Sequence, residues 1–573
     1  MTDLSSIQQA LGASARDLAS RLIPDLASLF GPQADRLLRL HTPLGANALL
    51  PERAEITEAI GPGWAWGARS MASGPDTGYA IDLLALSTRD DIQPAELLGQ
   101  PVLLELLTAH SRADLRPFHG HVTSLQLLGA DGGLSRYRLR IEPWLAMLAR
   151  RVDSWVFQDA DVLAITESVF ADYAGQGRLQ PAWRIDVADR SVFARRSLCT
   201  QFNESDLDFL RRLWAEEGLF TWFEHSGDPQ DARSLGRHTL VIADHNGAFR
   251  PNAQARVRYT QPGAVLREDS LTRWQAARRT GPTRVALASF DYRSVAQIEA
   301  QADIDVGHEA PFDLVHVDQP GAYAFEAPTQ AERRTRIQLE GLQALRKQFE
   351  GRATVRSMSP GTTFAVLDHA EHDLDRLRGG DDAATFVALA VVHRVRNNVD
   401  ADALAGLQQL LGEASWSALR GRHESAAGHA DAEPVYEARL WAQRASVPVR
   451  VTLGVDGRLT LAKPVAHGTQ TAIVVGLDAP VHTDRDGRIK VQFAWQRGAQ
   501  GAHRLGHPST APDADNAPAS DASGTWVRVA QPWAGANWGG VFIPRLGQEV
   551  VVAFVEGDID RPVVIGSTYN GQG

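Results

Sequence analysis

GRIKVQFAW, residues Gly487 to Trp495, decides how the C-terminal part of this 573-residue chain is built. Ile489, Val491, Phe493 and Trp495 alternate with Lys490 and Gln492, the period of two expected of a strand buried on one face. Asp486 and Gly487 stand just before the alternating residues, and Asp-Gly tolerates the positive φ that a tight hairpin requires. From Gly468 onward the signal recurs in TAIVVG, GTWVRVAQ, GGVFIPRLG, QEVVVAFVEG and PVVIGSTYN, short strands punctuated by glycine turns. Strands so short and so evenly spaced predict a small closed barrel. Pro544 and Pro562 fall at strand edges, where a missing N–H is tolerated.

Upstream, residues 37 to 141 carry short period-two runs separated by turn signals, TPLGANALLP, GPGWAWG and DGGLSRYRLRI, which predict an all-β unit. DADVLAITESVFADY and SDLDFLRRLWAEEG have helical spacing. The second is capped by Asp206, or by Ser205 with Asp208 three residues on, and Gly218 ends it before the aromatic strand LFTWFEH. Strand-like runs resume at HTLVIAD, VALASFDYRS and ATFVALAVVHRVRN, with a long charged helix, QAERRTRIQLEGLQALRKQFEG, between the last two. Residues 400 to 435 lack sharp periodicity apart from ALAGLQQLLG and read as an insertion or linker. At the N-terminus, Ile7, Leu11, Leu18, Leu22 and Leu29 form one apolar stripe on a helix that Pro24 breaks or kinks, which suits docking on the domain that follows.

Bulk properties narrow the function. The length asks for several domains, and 44% hydrophobic with 22% charged residues is ordinary globular composition. A net charge of -11 repels phosphate backbones. The single cysteine, Cys199, forms no intrachain disulfide, and in LCTQF it reads as a buried inert thiol. No run reaches the roughly 20 apolar residues of a membrane span, and the acidic N-terminus does not read as a signal peptide.

Candidate chemistry is thin. Asp484, Asp486 and Gly487 open like a calcium loop, but the twelfth position, where a bidentate Glu belongs, is Trp495. GDID, Gly557 to Asp560, reads as a hairpin. His119 and His121 share a strand face without a third ligand nearby in sequence, so they read as an ordinary exposed pair. GPGWAWG lacks the spacing of a phosphate loop, and Glu216 with Glu217 reads as solvated charge. No GxSxG, HExxH or Cys/His catalytic pairing occurs. Residues 466 to 573 hold eight Lys and Arg against ten Asp and Glu, so a strand-binding groove is disfavoured; Trp526, Trp533, Trp538 and Phe542 are assigned to core or subunit contacts. Catalytic, cofactor and metal residues are therefore expected to be absent.

Three ordered blocks, HTDRDGRIKVQFAW (482–495), GTWVRVAQPWAGANWGG (524–540) and IPRLGQEVVVAFVEGDIDRPVVIGSTYN (543–570), resemble the OB-fold neck of the VgrG family of type VI secretion spikes and of contractile-phage tail spikes. RYRLRIEPWLAML, SWVFQD, CTQFNESDLDFLRRLWAEEGLFTWFEH, SFDYRS, DQPGAY and VVHRVRN resemble the same family's baseplate hub. The likeness covers about 37 to 570 and departs at the Ala/Pro/Asp/Ser-rich loop Arg497–Ser523, a mobile surface excursion, and at GQG, where the family continues into a β-helical needle. It implies a mainly β (α+β) chain divided as a helical extension (1–36), a first β-barrel hub module (37–150), a second with helices (151–398), an insertion or linker (399–465) and an OB-fold barrel (466–570), with the needle absent.

The resemblance further implies a homotrimer whose two barrel modules per chain give six similar patches to a hexameric Hcp tube. A PAAR-type tip protein, effectors with their adaptors or chaperones, and baseplate components are the other implied partners, with no nucleic acid. The protein is then not an enzyme, assembles in the cytoplasm and is injected or secreted without a signal peptide. A phage-tail or tailocin hub and an effector-bearing VgrG whose catalytic domain lies outside residues 1–573 are the alternatives.

Overall fold

The computed structural model describes residues 33, 36–62, 77–109, 115–131, 133–260, 268–304, 313–399, 401–412, 434–450, 462–477, 480–496 and 519–571. The N-terminal apolar stripe, most of GPGWAWG and the greater part of the Arg497–Ser523 loop lie outside them.

The first six strands make one barrel-like unit: β1 Leu38–His41, β2 Leu50–Ala59, β3 Tyr79–Ser87, β4 Pro101–Leu106, β5 Arg116–Asp131 and β6 Leu134–Glu142. They lie in the order β1-β4-β5-β6-β3-β2, every neighbour antiparallel. Alternate residues such as Leu38, Leu40, Ile81, Leu83, Leu104 and Leu139 point inward and are fully buried, each contributing about 1.5–3 kcal/mol. β1 and β2 do not pair directly. A buried side chain from far along the chain closes the gap: Asn397 accepts from the Leu38 N–H (3.0 Å) and donates to the carbonyls of Leu38 (3.1 Å) and Pro51 (2.8 Å). Asn397→Ala removes all three bonds and leaves buried backbone groups unpaired, so a loss of about 2–4 kcal/mol is expected in a urea titration. A midpoint unchanged from the parent chain would show that the gap is held some other way.

β7 Val152–Phe157, β8 Trp183–Asp186, β9 Cys199–Ser205, β10 Phe220–Gly227 and β11 Gly236–Ala243 form two small sheets that share the first barrel's core with the helices Val162–Ala171 and Asp206–Glu216. Trp144 meets Phe170 edge to face at 4.8 Å, with Trp214 beyond it. Of the two cap candidates, Ser205 caps, accepting from the Asp208 N–H (3.0 Å). Asp206 turns inward and is held by Arg151 (2.6 Å), Tyr173 (2.6 Å) and Gln201 (2.8 Å).

The second barrel begins with β12 Arg250–Arg258 and β13 Leu271–Arg278. A three-stranded sheet, β14 Arg284–Asp291, β15 Ala296–Asp303 and β16 Val315–Asp318, then packs against the helix Pro328–Arg346. The barrel resumes with β17 Lys347–Ala353, β18 Thr362–Leu367, β19 Thr385–Arg396 and β20 Tyr436–Arg444. Their order, β12-β18-β19-β20-β17-β13, repeats that of the first barrel: first, fourth, fifth, sixth, third, second. One pair differs, β12 running parallel to β18. The two barrels join where β2 pairs with β19.

Two sequence expectations change here. The long helix stops at Arg346, because Phe349 is buried and stacked on Trp274 (5.4 Å), which draws KQFEG into β17. β20 falls within the span read as insertion or linker, yet pairs with β19 and β17. ALAGLQQLLG lies in a helix, Ala401–Leu411, whose Leu407 packs on Leu50, Leu86 and Leu134.

The last unit is a closed five-stranded barrel in the order Gln470–Val475, Ile489–Phe493, Thr525–Val529, Pro562–Thr568, Glu549–Phe554. Ile489–Phe493 is buried on both faces, not one. Residues 519–523 fold over its polar side: Gln492 accepts from the Ser523 hydroxyl (2.5 Å) and the Ala519 N–H (2.8 Å), and Lys490 pairs with Asp521 (2.7 Å). Trp495 lies beyond the strand and stacks on Phe493 at 5.2 Å.

Candidate functional site

Three places combine polar or apolar groups in ways that a simple core does not require. The first is the seam between the two N-terminal barrels. Glu58 on β2 is buried and forms an ion pair with Arg116, with His393 at 3.4 Å and His225 at 3.7 Å. Arg116 also donates to the carbonyls of Arg356 (2.9 Å) and Met358 (2.5 Å). His393 continues to the Tyr436 hydroxyl (2.7 Å), which donates to the Val355 carbonyl (3.1 Å). Burial alone would raise the Glu58 carboxyl, but Arg116 and His393 outweigh it and hold the group at about 2. Burial likewise lowers His225 and His393 to about 4.

Beside it lies a buried histidine cluster. His119 and His121 on β5 are buried, not exposed, and meet His225 of β10 and His238 of β11. The bonding fixes one tautomer set. The Trp144 N–H donates to His238 Nε2 (2.8 Å), so His238 Nδ1 carries the proton and donates to His119 Nδ1 (2.8 Å). His119 Nε2–H then donates to the Ser234 carbonyl (2.7 Å). Both rings are neutral and both use each nitrogen on protein, leaving no lone pair for a metal. His121 is lowered to about 4 by burial, and His238 lies well below its ordinary range for the same reason. The FHGHV spacing showed the strand face; the partners come from a hairpin about a hundred residues later.

The second place is the joint between the N-terminal barrels with their sheets and the C-terminal barrel. Asp560, in the segment read only as a hairpin, accepts from the Thr200 N–H of β9 (2.6 Å) and pairs with Lys463 (2.6 Å). Burial would raise its carboxyl, but Lys463 and Arg212 hold it below the ordinary range. Gln158 donates to the Gly524 carbonyl (3.1 Å) and the Thr525 hydroxyl (2.7 Å), and Phe202 meets Trp495 edge on. Arg528 lies 3.9 Å from the Tyr292 ring centre and donates to the Tyr323 hydroxyl (2.9 Å). A cavity of about 480 Å³ is lined by Gln158, Lys463, Asp560, Tyr292, Tyr323 and Arg528. On its wall Glu217 is not solvated charge: it pairs with Arg196 (2.7 Å) and Arg333, while Glu216 takes Arg196 (2.8 Å) and Arg334 (3.2 Å).

The third is an apolar ridge on the C-terminal barrel. Trp533, Trp538, Val541 and Phe542 are each 65–76% exposed. The ridge is held in shape: the Gln531 amide donates to the Phe542 carbonyl (3.2 Å) and accepts its N–H (2.9 Å), and the Trp538 indole lies where a Cβ on Gly535 would sit. Trp526 is half-buried, stacked on His482 at 5.2 Å. The ridge aromatics are thus not core, and exposed patches of this kind mark contact surfaces.

The remaining candidates are structurally occupied. Asp484 accepts from the N–H groups of Asp486 (3.0 Å) and Arg488 (2.9 Å) and pairs with Arg488 (2.5 Å), and Gly487 takes φ +70° in the turn. Gly557 (φ +75°) lies in the turn between the last two barrel strands. Cys199 is buried, and burial pushes its thiol up to about 11, far from a reactive thiolate. Glu371, His372 and Asp375 could hold a metal ion by proximity, but His372 accepts from the Trp274 indole (2.8 Å) and Asp375 is taken by Arg444. No helix among the described residues is long and apolar enough to cross a membrane.

Known proteins resemble the chain as follows. The family "Phage tail baseplate hub (GPD)" matches residues 76–399, and "Type VI secretion system/phage-baseplate injector OB domain" matches residues 513–569. Over 545 residues, 94% of this chain, it is 30% identical to the type VI secretion system spike proteins VgrG1b and VgrG1a of Pseudomonas aeruginosa. The chain spans 61% and 70% of the lengths of those two relatives. Among solved structures, the fold matches the E. coli c3393 protein, a component of the type VI secretion system, with a TM-score of 0.52 at 17% identity, covering 91% of this chain and 97% of that one. It also matches a chain of the Francisella PdpA-VgrG complex with a TM-score of 0.51 at 9% identity, covering 94% and 78%.

Proposed function

Since the chain belongs to the VgrG family of type VI secretion spike proteins, we propose that it works as the spike tip of that machine, a trimer seated on the end of a sixfold Hcp tube. The observation that carries this is the repeated strand order of the two hub barrels. Three chains with two such barrels each offer six similar faces, which reconciles threefold and sixfold symmetry. The C-terminal barrels then form the neck, and the ridge of Trp533, Trp538 and Phe542 supplies subunit contact there. The part is mechanical: assembly in the cytoplasm, export with the tube by sheath contraction, and carriage of a PAAR-type tip, of effectors and of their adaptors. The buried polar seam between the two barrels, Glu58 with Arg116, His393 and Tyr436, supports the same reading, since force transmission needs interfaces.

Light scattering on the full chain should give three times the monomer mass, and deletion of the chain should stop secretion of the tube protein. Trp533→Ser with Trp538→Ser is expected to weaken the trimer at least about a hundredfold, as aromatic anchors at the centre of an interface do. A monomer at every concentration would overturn the trimer. A trimer unmoved by the double change would reassign the ridge to another partner.

A further inference from the structure

The cavity at the joint between hub and C-terminal barrel carries a positive charge that its own walls do not neutralise. Nine arginines and lysines line it against six carboxylates, in a chain whose net charge is -11. Most of these groups are paired. Lys463 takes Asp558 and Asp560, Arg293 faces Glu326 (3.7 Å), and Arg196, Arg333 and Arg334 share Glu216 and Glu217. Arg488 is met by Asp484 (2.5 Å), which stands outside the lining. Arg195, Arg528 and Arg561 form no ion pair among the described residues, and the one lining carboxylate left over, the exposed Asp159, forms none either. Three free cations against one free carboxylate leave a surplus of two positive charges.

Arg528 and Arg561 reach the cavity side by side. Arg528 lies opposite Val563, and Arg561 stands two residues before Val563, so both leave the same face of the barrel. Both are held by Tyr323: Arg528 donates to its hydroxyl (2.9 Å) and Arg561 to its carbonyl (2.6 Å). Tyr323 has a φ of +61°, which L side chains rarely adopt, and its N–H is fixed on the Phe290 carbonyl (2.8 Å). Arg528 also lies over the Tyr292 ring (3.9 Å). All these partners are neutral, and the Arg561 Nε is buried with no hydrogen-bond partner at all. Half-buried guanidinium groups left with neutral acceptors are an unfinished arrangement, since a charge withdrawn from water costs free energy until a counter-charge offsets it. Joining the two units does not require that surplus, because Gln158 with Thr525 and Thr200 with Asp560 already tie them.

We propose that this cavity binds an oxyanion of at least two negative charges, a diphosphate or a set of neighbouring carboxylates, held by Arg528, Arg561 and Arg195. Its volume of about 480 Å³ falls in the range of small-ligand sites, about 300–1,000 Å³. Guanidinium forks match phosphate and carboxylate oxygens two at a time, which a lysine-lined wall does not. Arg195 precedes β9 in the hub, whereas Arg528 and Arg561 belong to the barrel, so the bound anion ties the two units across their joint. The site lies within a single copy of the chain and does not rest on the trimer.

Titration calorimetry on the full chain in about 0.15 M salt tests it with two probes, inorganic pyrophosphate and an end-blocked tetraglutamate peptide. At least one is expected to bind with a Kd below about 1 mM, one per chain. Pyrophosphate as the tighter probe assigns a free phosphate anion; tetraglutamate as the tighter assigns carboxylates borne on a protein segment. Binding of neither below that limit overturns the site. Arg528→Gln with Arg561→Gln should weaken the tighter probe at least about tenfold, because each removes a charge-assisted fork. Arg195 is exposed and bonded to nothing among the described residues, so Arg195→Gln leaves the fold untouched and should still weaken binding about threefold. Arg545→Gln removes an exposed charge of the same barrel outside the cavity and should leave affinity unchanged. Should the double variant not fold, Arg195→Gln against Arg545→Gln decides. Equal losses from those two, or no loss from Arg195→Gln, would show that the probes follow net charge and not this cavity, and the proposal falls.

Discussion

Glu58→Ala should lower the stability of the hub by about 3–5 kcal/mol, because it strands a buried guanidinium. Arg116 is only 11% exposed, and its sole carboxylate partner among the described contacts is Glu58. Without it, the cation faces His393 (3.0 Å) and two backbone carbonyls, none of which carries a compensating charge. The seam between the two barrels runs through this residue, so the loss is expected to appear as separate melting of the two barrels in calorimetry. Glu58→Gln keeps a hydrogen-bond acceptor and should lose less. Breaking the exposed pair Arg352–Glu437 (3.2 Å) should leave the midpoint almost unmoved. A Glu58→Ala chain as stable as its parent would mean that water reaches Arg116 and that the seam is not a closed core.

Acidification should be equally costly. His121, His225 and His393 are held at about 4 by burial, below the usual value of about 6.5. The unfolded chain therefore binds protons that the native chain refuses, and stability rises with pH between about 4 and 6.5. It is complete above that window and drains away as pH falls through it, by roughly 2 kcal/mol for each of the three at pH 5. His238 adds to the trend, since protonating Nε2 would aim a second N–H at the Trp144 amide. Glu58, held at about 2, keeps its contribution across the window and yields it only below about pH 4.5. Thermal midpoints measured from pH 7.5 to 4.5 should fall steeply over the lower half of that range. A flat profile would show that the histidines are solvated and titrate normally.

What could be read in the sequence was local. Alternation in GRIKVQFAW and its neighbours is enough to make barrel strands, because period two is dictated by the pleat alone. Ser205 followed by Asp208 marks a helix start by the reach of one hydroxyl, and Cys199 in an alternating strand reads as inert. The blocks that resemble the family also lie mostly in strands and turns, where spacing is short and legible.

What the tertiary structure alone decided was who meets whom. Lys490 and Gln492 looked like a solvated face until residues 519–523 folded over them. Glu216 and Glu217 looked like surface charge until Arg196, Arg333 and Arg334 arrived from other elements. His119 acquired its neutral, proton-ordered network from His238 of β11 and from Trp144, His121 was buried beside them, and β20 became a barrel strand although residues 397–435 separate it from β19. Secondary structure follows from near-neighbour sterics and periodicity, which the amino-acid order carries. Burial, and with it charge state and partnership, depends on loop closures over a hundred or more residues, which only the folded chain brings about.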